Sequence, residues 1–310
     1  MPLAAPLQPF LDWTVATTPS QWKPVDVALV GIPFSEHYSG EPRPNDQAAA
    51  PERIRSLSGQ LTYGAEFFDV NFGATLSDVL PKGGRDGGNL IPQGSDFAPY
   101  FAEAVQIMER QFATARFSVM LGGDHGVTIP ALHGLRALDR PVHLVQIDAH
   151  IDWRDEVRGV KLGYSSPIRR ASELPWIKGI TQIGIRGSGS ARAPEVAAAR
   201  AWGAKLVTAD TVHTDLPQVL AGLAGQGPFY MTIDLDGLDP AVAPGVAGPV
   251  PGGLRVEQVR PILAALAREG LVGLDVVEYA PSVDLANAIT AITAGRLVLD
   301  ALAYSRGFGR

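Results

Sequence analysis

A series of short, unbroken apolar runs dictates most of what this chain can become: Val25–Val30, Phe117–Leu121, Val142–Ile147, Ile180–Ile185, Lys205–Val207, Phe229–Ile233 and Val272–Val277. Each is too short for a helix and lacks the polar alternation of a half-exposed strand, so each reads as a strand buried on both faces. Between them lie helical stretches: Phe97–Ala115, Thr128–Leu138, Ala193–Trp202, Thr214–Ala224, Val256–Arg268 and Leu285–Leu302. Buried strand alternating with helix predicts an α/β fold, a parallel sheet covered on both faces.

The stretch Ser35–Gly94 breaks this rhythm. It holds EPRPNDQAAAP and KGGRDGGN without a clear period, and reads as extended loops with one helix near Pro51–Leu57. Its glycines, and those of Gly187–Ser190, match neither GxGxxG nor the P-loop, so they read as turns rather than phosphate cradles. Residues 1–24 are expected to form an N-terminal extension and residues 25–310 a single domain. A net charge of −6 argues against a nucleic-acid or basic membrane-surface partner. No run is long enough to span a bilayer, and the first residues lack the basic region of a secretory signal. Cysteine is absent, which removes disulfides, thiolate nucleophiles and thiolate-held metals, and a cytoplasmic location is expected.

Three segments that follow these strands are dense in side chains able to hold a metal: Leu121-Gly-Gly-Asp-His125-Gly, Ile147-Asp148-Ala-His150-Ile-Asp152-Trp and Thr232-Ile-Asp234-Leu-Asp236-Gly-Leu-Asp239-Pro. Ligands of open α/β sheets bind beyond the carboxyl ends of the strands, where these segments fall. Asp148, His150 and Asp152 are spaced i, i+2 and i+4, so on an extended backbone they point one way, and Asp234 and Asp236 repeat the pattern. His125 adds a sixth candidate. Four carboxylates sharing one pocket repel each other unless cations balance them. Oxygen and imidazole donors without thiol suit divalent ions such as Mn²⁺, and two such ions restore the balance. Paired metals lower the pKa of water toward about 7, and the slightly negative site left by a bridging hydroxide welcomes a cation. A hydrolase of a positively charged group follows.

At these residues the sequence resembles the ureohydrolase family, which contains arginase, agmatinase and guanidino-acid hydrolases. The resemblance rests on GGDH at Gly122–His125, DAHxD at Asp148–Asp152 and DxDxxDPxxAPGxxxPxPGGL at Asp234–Leu254, with QIGIRG at Gln182–Gly187 and DVVE at Asp275–Glu278. It spans about Val25 to Leu302, and it implies a three-layer α/β/α arrangement with a dinuclear centre at the C-terminal edge of the sheet. By the same resemblance, one metal takes His125, Asp148, Asp152 and Asp234, and the other takes His150, Asp148, Asp234 and Asp236. Asp152 would also orient the nucleophile, and Glu278 would pair with the guanidinium. The two metals are expected to be manganese, with nickel as the alternative, and the products urea and an amine. Relatives form trimers or hexamers, so a homo-oligomer is expected. Hydrolysis of a formimino group, or a non-catalytic role as the partner of an active relative, are the other readings the family allows.

The chain departs from the family pattern in places. Where relatives carry a histidine in a segment resembling HGTPFRRA, this chain reads Tyr164-Ser-Ser-Pro-Ile-Arg-Arg-Ala171. Tyrosine titrates near 10, so Tyr164 is expected to donate a hydrogen bond or shape the pocket rather than shuttle protons at neutral pH. Arg154 is expected either to pair with Asp155 or Glu156 or to bind an anionic substrate tail; Arg169 and Arg170 are expected to be solvated. Glu41–Pro51 stands where relatives carry a glycine-rich substrate loop. Asp239 is expected to fix the turn before Pro240, and His143 to be a satisfied interior residue. No role is expected for His37, His133 or His213.

Overall fold

The structure, a computed structural model, describes residues 3–35, 38, 46–80, 82–91, 97–188 and 191–309. In chain order its strands are β1 (Thr14–Val15), β2 (Val25–Ile32), β3 (Phe68–Asp69), β4 (Ala74–Thr75), β5 (Arg85–Asn89), β6 (Ala115–Gly122), β7 (Val142–Ile147), β8 (Ile177–Ile185), β9 (Lys205–Thr208), β10 (Phe229–Asp234) and β11 (Leu271–Val277). Its α-helices are α1 (Ala50–Leu57), α2 (Leu76–Val79), α3 (Phe97–Thr114), α4 (Thr128–Gly134), α5 (Pro167–Ala171), α6 (Ala193–Trp202), α7 (Ala209–Leu223), α8 (Val256–Arg268) and α9 (Ile289–Ser305).

Nine strands make one sheet in the order β1-β5-β2-β6-β11-β10-β7-β8-β9. Every neighbouring pair in it is parallel. Strand side chains alternate between two apolar layers, as a pleated backbone requires. Val27 and Leu29 of β2, Phe117 and Val119 of β6 and Val145 of β7 join the core built by α1, α7, α8 and α9. Val30 and Ile32 of β2, Met120 of β6 and Leu144 of β7 face the other layer, with α3, α4, α5 and α6. The expected three-layer α/β/α arrangement is the one observed.

Two stretches differ from the sequence reading. Helix α7 starts at Ala209 rather than Thr214, because the Thr208 side chain caps it by accepting from the backbone N–H of Thr211. It breaks at Asp215, whose carboxylate accepts the backbone N–H of Gln218 and so caps the second half of the helix; Pro217, two residues on, has no N–H with which to continue the first half. Ser35–Gly94 is not loop throughout: it holds α2, the antiparallel β3–β4 ribbon and, in its glycine-rich part, strand β5.

The sequence RDGGN forms a strand because tertiary contacts overrule its low strand propensity. All five of its residues are buried. Asp86 takes the Arg55 guanidinium at 2.8 and 3.0 Å, and Asn89 Oδ1 accepts from Arg55 Nη1 at 2.6 Å. Helix α1 thus supplies the charge that this strand buries. The N-terminal residues cover its outer side. β1 pairs with β5, Ala4 and Asn89 exchange backbone hydrogen bonds of 2.8 Å, and Phe10, Trp13 and Trp22 are buried.

Candidate metal centre

The four central neighbours β6, β11, β10 and β7 end at the same edge of the sheet because all are parallel. His125 follows β6, Asp148, His150 and Asp152 follow β7, Asp234 closes β10 with Asp236 just beyond, and Glu278 follows β11. Segments far apart in sequence therefore meet at adjacent strand tips. The close approach depends on a glycine: a Cβ on Gly237 would stand 2.5 Å from the backbone nitrogen of Asp148.

The side chains converge on two imidazole nitrogens. His125 Nδ1 lies 3.2 Å from Asp148 Oδ2, 2.9 Å from Asp152 Oδ2 and 3.1 Å from Asp234 Oδ2. His150 Nδ1 lies 3.3 Å from Asp148 Oδ1 and 3.0 Å from Asp236 Oδ2. Asp148 thus gives one oxygen to each group. His125, Asp148, Asp152 and Asp234 form one set with ligand atoms within 4.8 Å of one another, and Asp148, His150 and Asp236 form a second. Asp234 belongs to the first set alone; its Oδ1 accepts the backbone N–H of Asp236 at 2.8 Å.

A layer of buried polar groups orients these donors. His125 Nε2 lies 3.0 Å from Thr232 Oγ1, and the Thr232 hydroxyl donates to Asp275 at 2.5 Å. Tyr230 and Thr128 donate to the same carboxylate at 2.8 and 3.1 Å. That chain leaves Nδ1 of His125 as the nitrogen turned to the cluster, the usual way an outer partner fixes the tautomer of a ligand histidine. Asp148 accepts from Gln146 Nε2 and from the backbone of His150, both at 2.5 Å. Glu278 accepts the backbone N–H of His125 at 2.7 Å and Gln47 Nε2 at 3.3 Å. Asp152 and Glu278 both sit at positive φ, 45° and 66°. Non-glycine residues held there are uncommon and concentrate at functional sites.

The electrostatics ask for cations. Burial pushes Asp152 up to about 7, with the Asp148 charge adding to it. Asp234 and Asp236 are raised too, by burial and then by neighbouring carboxylates. Burial works against a charged imidazole, yet the surrounding carboxylates lift His125 well above its ordinary value and His150 to about 12. Among the described residues no lysine or arginine nitrogen forms an ion pair with these four carboxylates; the imidazoles are their partners. An all-oxygen-and-imidazole donor set with an excess of buried negative charge fits a pair of divalent ions.

The other expected residues fall in varied places. Tyr164 packs its ring on Tyr38, centroids 4.4 Å apart, and Tyr38 is lifted to about 12 by burial, with smaller effects from Asp152 and Asp124. Arg154 pairs with neither Asp155 nor Glu156. Its Nε lies 3.5 Å from Glu195, while Asp155 faces Arg170 at 2.5 Å and Arg169 at 3.9 Å. Arg170 is correspondingly half-hidden rather than solvated, its side chain only 12% exposed.

Asp239 does hold its turn, accepting from Ala241, Gly252 and Gly253 backbone N–H groups. His143 is buried against Thr181 Oγ1 at 2.9 Å. His133 packs edge-on against Phe101, and His213 meets Gly252 and Gln258. His37, Glu41–Asn45 and the end of Gly187–Ser190 lie outside the described residues. No role was legible for Gln47, Gln146, Thr232 or Asp275; Thr232 and Asp275 fall within the quoted motifs, but the partners that give them a role lie on other segments of the chain.

Comparison with known proteins agrees with this geometry. The model of the Arginase family matches residues 25–304. The chain is 30% identical to guanidinobutyrase of Pseudomonas aeruginosa, over 86% of this chain and 82% of that protein. It is 32% identical to mitochondrial guanidino acid hydrolase of Homo sapiens, over 90% and 78% respectively. Among solved structures, proclavaminate amidinohydrolase of Streptomyces clavuligerus superposes with a TM-score of 0.83 at 28% identity, covering 97% of this chain and 98% of that one.

Proposed function

The chain belongs to the arginase family of metal-dependent amidinohydrolases, and on that premise we propose that it hydrolyses a small cationic guanidino compound to urea and an amine. The compound is agmatine, a guanidino acid, guanidine itself or a substituted guanidine. Two divalent ions, manganese or in its place nickel, would be held by His125, Asp148, Asp152 and Asp234 and by His150, Asp148 and Asp236. The observation that carries the reading is Asp148 giving one carboxylate oxygen to each imidazole-centred set.

Such ions, when bound, supply an activated water at neutral pH and fixed positive charge at the reacting group. The protein's own side chains do the rest. Glu278, held by the His125 backbone and by Gln47, is the carboxylate that accepts guanidinium N–H groups and orients the carbon to be attacked. Asp152, on its constrained backbone, holds the orientation of the attacking oxygen. Tyr164, its ring packed on Tyr38, would shape the pocket or donate a hydrogen bond to the substrate. Arg154 is engaged by Glu195, which favours substrates that need no arginine for their far end. By family likeness the chain assembles with copies of itself as a trimer or hexamer.

The test is urea release from agmatine, arginine, guanidinobutyrate, guanidinopropionate, methylguanidine and guanidine, run once with manganese and once with nickel. At least one guanidine should yield urea, and Glu278→Gln should lower kcat/KM by about 10- to 100-fold, the worth of a hydrogen bond to a charged group. Protein carrying about two ions per chain that releases urea from none of them would overturn the proposal.

A further inference from the structure

The opposite edge of the sheet, where the parallel strands begin, holds a cavity of about 660 Å³. Its walls come from the starts of β1, β2, β5 and β6 and the end of α3, so it lies across the sheet from the metal-capable cluster. Its size is that of a small-molecule site. Its charge is lopsided. Lys23, Lys82, Arg85 and Arg116 line it, against the single carboxylate of Asp26. Asp26 is already met by Arg116 at 3.8 Å and by Arg306 at 3.4 Å.

Arg85 is the informative residue. It is 5% exposed, yet its guanidinium meets only neutral acceptors, Lys23 O and Thr114 Oγ1, each at 3.0 Å. Its Nε–H has no acceptor. Trp22 stacks over it at 4.3 Å, and burial, with a smaller push from the like charge of Arg110, lowers the Arg85 pKa to about 10. A buried cation is ordinarily balanced by an acid, as Arg55 is by Asp86 in this same fold. The final turn of α3 offers only a fraction of a negative charge. Among the described residues no carboxylate forms an ion pair with Arg85, Lys23 or Lys82.

We propose that this cavity binds a small organic anion, its carboxylate or phosphate group set against Arg85, Lys23 and Lys82 and its body against Trp22. The site is independent of the catalytic one and does not rest on the function proposed above.

Calorimetric titration of the metal-loaded protein at constant ionic strength tests it, with benzoate and phenyl phosphate as probes and benzyl alcohol as the uncharged control. At least one anion should bind once per chain, and the arm that binds tells carboxylate from phosphate. Affinity should fall at least tenfold in a Lys23→Ala, Lys82→Ala double variant, whose exposed positions leave the fold intact, and in Arg85→Gln. Urea release by the double variant without added anion should match the parent protein. No saturable binding beyond a sodium chloride control would overturn the proposal, and so would equal affinity in the double variant, which would put the anion at the metal centre.

Discussion

Gln47 shows how much of this site hangs on single polar residues. It is buried, it donates to Glu278 at 3.3 Å, and its own Oε1 accepts the Ser35 hydroxyl at 3.1 Å. Replacing it with Leu frees one oxygen of Glu278, the carboxylate proposed to bind the guanidinium, to rotate. A lost hydrogen bond of about 1 kcal/mol predicts a KM rise of about fivefold, with kcat changed less. Steady-state kinetics check this, and unchanged KM would show Glu278 to be oriented by the His125 backbone alone. Tyr164→Phe removes one hydroxyl and leaves the ring packed on Tyr38; kcat/KM should drop about tenfold or more, while unaltered kinetics would reduce Tyr164 to a wall residue. Asp148, His150 and Asp152 were legible as a run of donors directly after a buried strand, although the extended backbone expected to align them is absent: His150 lies in a bend and Asp152 sits at φ 45°. Gln47, Thr232 and Asp275 were not, since each acquires meaning only from a partner far along the chain.

Among the elements, β7 links the site to the stability of the sheet. Within it His143 is buried against Thr181, and burial, with help from Lys205 and Lys178, lowers its pKa to about 4. An unfolded histidine titrates near 6.5, so between those values the unfolded chain binds the extra proton. The contribution is therefore complete above about pH 6.5 and is lost as pH falls toward 4, a change on the order of 3 kcal/mol. Urea denaturation at pH 7 and pH 4.5 should show the parent protein losing more stability than His143→Gln; equal losses would mean that His143 titrates normally. Strand β5 shows where element-level reading stops. RDGGN has no strand period, and it became a strand because Arg55 of α1 neutralises it from one side and the N-terminal residues cover another. The apolar runs of β2, β6, β7 and β10 needed no such help.

At the scale of the molecule, the cluster gathers negative charge at the centre of the sheet edge, where repulsion opposes folding. Divalent ions that bind the folded state alone stabilise it by about 2.7 kcal/mol at a hundredfold excess over Kd. Stripping metal with a chelator should therefore lower Tm by several degrees, and restoring manganese or nickel should recover it. A Tm indifferent to chelation would mean that the cluster is already balanced by its own protons. The described helices include none long and apolar enough to cross a membrane. What the amino-acid order determined by itself was local: strands with both faces apolar, helices between them, and donor-rich segments at the ends of those strands. Only the tertiary structure decided that β11 lies between β6 and β10, bringing Glu278 alongside His125, and that Asp148 faces both imidazoles at once. Strand order is set by long-range packing of side chains distant in sequence, and no short window of residues carries it.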